Sequence, residues 1–233
     1  MTPPGQRVSL AAVRLSDVDL GLVHLLEESE LARATTFRSP TRRATFTAGR
    51  IALRLHISAL TGDSPKSLKA DYFCPVCSNP TDPGHGIPRY QLPASNARLR
   101  VSLSRSGNWC LLAASLDDGI AAIGVDIENG GAADFDGFAS LAMTANERGL
   151  LQKAPPAMTA KLQTRLWVRK EAVLKALGTG LATAPSLIDV SALTPAGVRG
   201  PALWKVEDIS PASVGLPEDF VASIATRQRG DAQ

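Results

Sequence analysis

Gly124-Val-Asp-Ile-Glu128 is a β-strand pattern, and Trp167-Val-Arg-Lys-Glu-Ala-Val-Leu-Lys-Ala-Leu-Gly-Thr-Gly-Leu181 reads as the end of a long helix. Successive strand side chains alternate between the two faces of a sheet, so Asp126 and Glu128 share one face. The intervening valine and isoleucine then point into the core. The strand therefore presents two carboxylates side by side, a pair suited to chelation.

The helix adds a third carboxylate and two lysines. Glu171 and Lys175 are four residues apart and Trp167 lies four before Glu171, so the three side chains share one stripe, with Lys170 beside it. Three oxygen donors and two cations suit a magnesium ion that binds a pyrophosphate. The alternative is a solvated surface ion pair beside a half-buried tryptophan.

Composition narrows the function classes. The chain has 233 residues, 44% hydrophobic and 20% charged, with a net charge of +3, as in an ordinary globular protein. No apolar run is long enough to cross a bilayer, and residues 1–10 lack the order of a secretory signal. Three cysteines do not suit a secreted disulfide framework. These features predict a cytoplasmic protein without membrane association.

The chain reads as a mixture of helices and strands. The predicted elements are strand Val8–Leu15, helices Leu22–Thr35 and Pro40–Leu60, loop Asp71–Ala97, strands Arg100–Ser104, Trp109–Ser115 and Ile120–Ile127, a helix capped by Thr144, helix Ala157–Leu177, and strands Ala202–Ile209 and Asp219–Thr226. The three central strands are expected to form an antiparallel meander. The prediction is an α+β fold of two similar lobes, residues 1–117 and 118–233.

Both opening motifs, complete and in this order, resemble the 4'-phosphopantetheinyl transferases of the surfactin-synthetase-activating (Sfp-like) type. The resemblance extends in weaker form from about Arg33 to Leu181. It implies transfer of the phosphopantetheine arm of coenzyme A to a serine of an apo acyl or peptidyl carrier protein, with release of 3',5'-ADP. It also implies a pseudo-twofold monomer with the active site in the cleft between the lobes.

The resemblance assigns roles to the charged residues of the two motifs. Asp126, Glu128 and Glu171 would bind Mg²⁺, which would bridge the pyrophosphate of coenzyme A. Lys170 and Lys175 would neutralise the same phosphates, with Lys175 also stabilising the leaving group.

Glu147 matches a family glutamate proposed as general base toward the carrier serine. It is also the fourth residue of Thr144-Ala-Asn-Glu147, a capping-box pattern, so a purely structural role is the alternative. Substitution by glutamine would discriminate the two roles.

Arg42-Arg-Ala-Thr-Phe-Thr-Ala-Gly-Arg50 resembles the family helix that holds the 3'-phosphate of coenzyme A, which gives Arg42 and Arg50 that role. A solvated basic face is the alternative. The family usually has Ser-His-Ser where this chain has Ser104-Arg105-Ser106. Arg105 can still hold phosphate beside Ser104, but it does not titrate near neutrality as histidine does.

Two further features concern the loop Asp71–Ala97. Many family members have Gly-Lys-Pro where this chain has Ile87 between Gly86 and Pro88. Two alternatives stay open: Arg89 substitutes for the lysine, or the contact is missing and the affinity for coenzyme A is reduced. Cys74-Pro-Val-Cys77 and His85 have the opening spacing of a zinc site, but no fourth ligand is obvious. The preferred interpretation is a cysteine-containing loop without metal.

Three functions are weighed on these grounds. An active transferase explains both motifs. A degenerate binder of coenzyme A or carrier protein would explain Arg105 and Ile87. A nucleic-acid module would use the arginine-rich helix, but the carboxylates and an aromatic content of 5% argue against it. The sequence does not predict which carrier is served, whether of the fatty-acid, polyketide or nonribosomal-peptide type, and tolerance for acyl-coenzyme A stays open.

Overall fold

The computed structural model describes residues 8–77, 85–93, 95, 97–130, 133 and 137–230. The chain divides into two compact units, Met1–Asp118 and Gly119–Gln233. Each unit combines helices with a three-stranded antiparallel sheet, which confirms the α+β class. Among the described residues, no helix has the length and apolarity to span a bilayer. The expectations for a secretory signal concern residues 1–10, of which 1–7 lie outside the described residues.

The first unit is built around one sheet and one long helix. Its elements are β1 (Ser9–Arg14), α1 (Glu28–Thr35), α2 (Pro40–Thr61), β2 (Lys69–Phe73), β3 (Ile87–Gln91), β4 (Arg100–Ser106) and β5 (Trp109–Ser115). The sheet has the order β1-β5-β4, and α2 packs on it through Leu53 and Ile57, which are fully buried.

Two expectations for this unit need correction. Residues 22–35 do not form one helix: a 3₁₀ segment, Leu20–Leu25, precedes α1, because Asp19 and Glu27 each cap a separate start. The segment Asp71–Ala97 is not all loop, since β2 and β3 pair as an antiparallel ribbon. Residues 78–84, 94 and 96 of that segment lie outside the described residues.

The second unit also has a three-stranded sheet and one long helix, but its strands are connected in a different order. Its elements are β6 (Ile120–Asn129), α3 (Phe138–Ala142), α4 (Ala145–Lys153), α5 (Pro156–Leu177), β7 (Trp204–Ile209), α6 (Pro211–Val214) and β8 (Phe220–Gln228). The sheet order is β6-β8-β7. The expected meander is therefore wrong at its third strand, because β6 pairs with β8 near the end of the chain and not with β5.

The two long helices form where their capping residues predict. In α2, Ser39 accepts a hydrogen bond from the Arg42 backbone N–H and proline occupies the first helical position. Both helices end at glycines with left-handed backbones, Gly62 with φ 80° and Gly178 with φ 74°. Each helix spans 22 residues and supplies the charged side chains considered below.

Candidate active site

The junction of β6 and α5 brings the two opening motifs together. A Cβ atom on Gly124 would overlap the carbonyl oxygen of Ala172 and lie 2.6 Å from the backbone nitrogen of Ala176. Glycine at this position therefore lets the helix backbone rest directly against the strand. This close approach sets Glu171 and Lys175, which lie on the same stretch of helix, beside the strand carboxylates.

Charges of both signs meet at this junction. Asp126 is almost fully buried, and its Oδ1 accepts a 2.6 Å hydrogen bond from Lys175 Nζ, whose side chain is 29% exposed. Burial, followed by the negative charges of Asp126 and Glu128, raises the pKa of Glu171 to about 7, although the ammonium of Lys175 opposes this rise. Asp126, Glu128 and Glu171 thus form one negative cluster that Lys175 partly neutralises.

The donor chemistry of this cluster fits a hard divalent cation, because it offers carboxylate oxygens from two rigid elements. The three carboxylates are not drawn into a closed cage: in the described part of the chain, their oxygens are not mutually within 4.8 Å. The ammonium of Lys175 lies against Asp126 instead. The residues therefore fit Mg²⁺ in the type of ligand atom that they offer.

Glu147 and Lys170 form a separate, fully buried ion pair. Lys170 Nζ lies 2.7 Å from Glu147 Oε2, and both side chains are 0% exposed. The same ammonium donates to the backbone carbonyls of Pro185 and Ile188. Burial lowers the pKa of Lys170, although the neighbouring Glu147 carboxylate opposes this change. Lys170 thus faces protein oxygens, in contrast to the phosphate contact predicted for it.

Glu147 completes a capping box at the start of α4. Its Oε2 accepts from the Thr144 backbone N–H at 2.8 Å, while the Thr144 hydroxyl accepts from the Glu147 N–H. The other oxygen, Oε1, accepts from the Val190 backbone N–H at 2.9 Å. The capping interpretation is confirmed, and the base role stays a prediction for a carboxylate with no exposed surface.

A buried guanidinium marks the first unit. Arg50 is 8% exposed and stacks over the rings of Phe46 and Tyr72, each centroid 5.0 Å from its Cζ. Among the described residues, its Nε and Nη1 have no hydrogen-bond partner. Buried guanidinium nitrogens without partners are costly, and an anion would satisfy them.

Arg105 adds positive charge to the same place. Its Cζ lies 5.5 Å from the centroid of the Phe46 ring, and its Nη1 donates to the Thr45 carbonyl at 3.4 Å. Burial and then the nearby Arg50 lower the pKa of Arg105. Gly49 makes room for it, since a Cβ there would lie 3.2 Å from the Arg105 Cδ. The arginines repel each other, and a bound anion would relieve that repulsion.

The structure gives less support to the other residues that were predicted to contact coenzyme A. Arg42 is exposed in the first turn of α2, and Ser104 is 4% exposed on β4. Arg89, the possible substitute for a family lysine, forms a half-exposed ion pair with Asp71 and lies over the ring of Phe73. It is thus bound within the β2–β3 ribbon, where Ile87 pairs with Phe73.

Sequence reasoning missed two anchoring arginines. Arg54 is 0% exposed and pairs with Glu30, and Arg169 makes a two-point contact with Asp208 on β7 at 2.7 and 2.8 Å. A signal for the buried lysine was available: residues five apart on a helix point about 140° apart, so Lys170 and Lys175 face different sides. The arginines carried no comparable local signal.

Two comparisons with known proteins identify the family of this chain. The model of the 4'-phosphopantetheinyl transferase superfamily matches residues 122–225, a segment that contains most of β6, all of α5 and their charged residues. The 4'-phosphopantetheinyl transferase HetI of Nostoc sp. is 30% identical over 206 residues, which cover 88% of this chain and 79% of HetI. The chain therefore belongs to the 4'-phosphopantetheinyl transferases, the enzyme family predicted from its two motifs.

Proposed function

We propose that the enzyme moves the 4'-phosphopantetheine arm of coenzyme A onto a serine of an apo acyl or peptidyl carrier protein in a Mg²⁺-dependent reaction. The serine oxygen forms a bond to the phosphorus that bears the pantetheine arm, and the bond from that phosphorus to 3',5'-ADP breaks. The observation that carries the proposal is the β6–α5 junction, where two strand carboxylates meet a helix carboxylate and Lys175.

In this proposal Asp126, Glu128 and Glu171 hold the cation. When bound, Mg²⁺ would offset the negative charge of the pyrophosphate and of the leaving group. Lys175 is partly exposed and already lies 2.6 Å from a metal-site oxygen, so its ammonium is suited to neutralise a phosphate beside that site. We assign it the leaving-group role.

We assign coenzyme A's 3'-phosphate to the first unit. Arg50 contributes unpartnered, buried guanidinium nitrogens, and Arg105 adds charge beside it. Arg42 and Ser104 enter on the family resemblance of their positions, and we expect smaller effects from them.

Glu147 and Lys170 receive a positioning role in this proposal. Their ion pair fixes α5 next to the segment 185–188, and Glu171 follows Lys170 directly in the chain. Proton removal from the carrier serine would then fall to another carboxylate or to water, unless Glu147 becomes exposed. Substitution of Glu147 by glutamine separates the positioning role from the base role.

The experiment is a transfer assay read by mass spectrometry. The enzyme is mixed with coenzyme A, Mg²⁺ and apo carriers of the fatty-acid, polyketide and nonribosomal-peptide types, and each carrier is weighed. We expect a gain of one phosphopantetheine on at least one carrier, its loss when EDTA removes the metal, and its loss in Asp126→Asn. Lys161→Met, at an exposed lysine on α5, is the control that should retain activity.

Coenzyme A binding without any mass gain would favour the non-catalytic alternative suggested by Arg105 and Ile87. Transfer that persists undiminished in EDTA would contradict the metal assignment. A folded enzyme that modifies none of the three carrier classes would overturn the proposed reaction. The set of carriers that are modified would also identify the class of pathway, and modification of polyketide or nonribosomal-peptide carriers would indicate secondary metabolism. We propose that the reaction takes place in the cytoplasm, as the composition predicts.

A further inference from the structure

Two cysteines and a histidine meet at the end of the β2–β3 ribbon where β2 leads into β3. Cys74 directly follows β2, Cys77 lies three residues further on, and His85 lies two residues before β3. Their ligand atoms all lie within 4.8 Å of one another, and Cys77 Sγ lies 3.5 Å from His85 Nε2. In the described ranges, this is the one group of three His, Cys, Asp or Glu side chains that is so compact.

A glycine explains how the histidine reaches the cysteines. Gly86 has a φ of +100°, and a Cβ on it would lie 2.8 Å from the backbone nitrogen of Cys74 and overlap the Phe73 carbonyl group. The returning chain therefore passes directly against the backbone that leads into the first cysteine. Only glycine combines this backbone angle with such an approach, so the ribbon holds His85 beside Cys74 and Cys77.

We propose that Cys74, Cys77 and His85 bind a zinc ion that fixes the end of the ribbon where β2 leads into β3. Zinc binds thiolate sulfur at about 2.3 Å and imidazole nitrogen at about 2.0–2.1 Å in tetrahedral geometry. Those bond lengths place a sulfur and a nitrogen ligand about 3.6 Å apart. The observed 3.5 Å between Cys77 Sγ and His85 Nε2 matches that edge.

The coordination shell would include solvent. Cys77 is exposed, and Cys74 and His85 are only partly buried, so water can reach the fourth position. The competing chemistry for a Cys-X-X-Cys pair is a disulfide, which would consume both sulfur ligands. All three cysteines of the chain are free thiols in the structure. The position of His85 favours metal, since a disulfide would give its Nε2 no partner of this kind.

The ribbon has a mechanical link to the arginine cluster of the first unit. The hydroxyls of Tyr72 and Tyr90 both donate to Glu30 Oε1, and the Tyr72 ring lies under Arg50. A two-stranded ribbon alone is marginally stable. Zinc at the β2-to-β3 connection would therefore restrict the motion of the Tyr72 ring, which contacts Arg50. This site is separate from the β6–α5 junction.

The test measures metal content in the full-length enzyme without a histidine tag. The protein is produced with added zinc, dialysed under reducing conditions, and analysed by elemental mass spectrometry. We expect about one zinc ion per chain, and a loss of about tenfold in Cys77→Ser and in His85→Asn. Cys110→Ala and His24→Asn are the matched controls, because neither residue belongs to the cluster, and both should keep the metal.

Hydrogen exchange supplies a second readout. Removal of zinc should speed exchange in β2 and β3 and leave the β6–α5 region unchanged. Zinc content below about a tenth of an ion in the folded, reduced wild type would overturn the proposal. So would full zinc content in folded Cys77→Ser and His85→Asn, or a Cys74–Cys77 disulfide that persists under the reducing conditions.

Discussion

The two long helices are held by the same device and present different chemistry. In the first unit, Arg54 of α2 pairs with Glu30, and in the second, Lys170 of α5 pairs with Glu147. All four side chains are 0% exposed. Each glutamate is the third residue of a short helix and accepts the N–H of that helix's capping residue. Each cation also donates to two backbone carbonyls, those of Pro65 and Leu68 or of Pro185 and Ile188.

The difference lies in what each anchored helix presents. One turn before its anchor, α2 offers the guanidinium of Arg50, which suits an anion. Next to its anchor, α5 offers Glu171, and one turn later Lys175, beside the strand carboxylate Asp126. A buried ion pair therefore serves here to fix a helix, while the residues around it decide which charge the helix presents. Each of the two ion pairs lies entirely within its own unit.

The largest expected effect comes from breaking either anchor. Arg54→Met and Lys170→Met should each lower the free energy of unfolding by about 3–5 kcal/mol, because each leaves a buried glutamate without its cation. Urea unfolding followed by circular dichroism measures both. Lys161→Met, an exposed lysine on α5, should change it by less than about 0.5 kcal/mol.

Glu147→Gln sharpens the same point. If Glu147 only anchors α5, Glu147→Gln should lower the free energy of unfolding and the rate of transfer together. Glu30→Gln should lower the free energy of unfolding by a similar amount. Unchanged unfolding together with a large fall in kcat would instead favour the base role.

Gly124→Ala tests the contact that places α5 against β6. The added methyl would overlap the Ala172 carbonyl, so we expect a loss of roughly 1–3 kcal/mol and a fall in transfer activity. Thermal unfolding and the mass-spectrometric assay measure the two effects. Gly149→Ala is the matched control, because that helical glycine has open space around it and should gain up to about 1 kcal/mol. Equal stability of the two variants would contradict the close packing.

Arg50→Gln tests the anionic ligand of α2. The wild type should prefer coenzyme A over 3'-dephospho-coenzyme A by about 10–100-fold in KM, since a charged hydrogen bond contributes about 1.5–3 kcal/mol. The variant should lose most of that preference and keep its activity on the dephospho substrate. Arg43→Gln, an exposed arginine that donates to the Phe37 carbonyl, should retain the preference. A preference that survives in Arg50→Gln would remove the 3'-phosphate assignment.

The smallest effect concerns the second tether of α5. Partial burial alone would raise the pKa of Asp208, but the Arg169 guanidinium lowers it below its usual value. Because the folded pKa is depressed, the pair stabilises the fold above about pH 4 and loses that contribution as the pH falls further. Asp208→Asn should therefore flatten the acid limb of stability against pH, measured by urea midpoints. An unchanged acid limb would show that another carboxylate is responsible.

Local signals explain which elements were predictable. Ser39 with Pro40, Thr144 with Glu147, and the terminal glycines fixed the helix starts and ends to within a residue or two. The β2 and β3 strands are not predictable from the sequence, because five-residue strands within a segment rich in proline and glycine show no sustained alternation of apolar and polar residues. The partner of β6 was misassigned because its pairing with β8 joins residues about a hundred positions apart, which no local pattern encodes.

The sequence alone determined the residue types and spacings at the two motifs, the family, and the limits of the two long helices, since these depend on short-range periodicity and capping. The tertiary structure decided which charges are buried. Lys170 and Lys175 are the same residue type on one helix, yet one is enclosed with Glu147 and the other is 29% exposed beside Asp126. The reason is physical: the environment of a charge is set by the elements packed around it, and those come from distant parts of the chain.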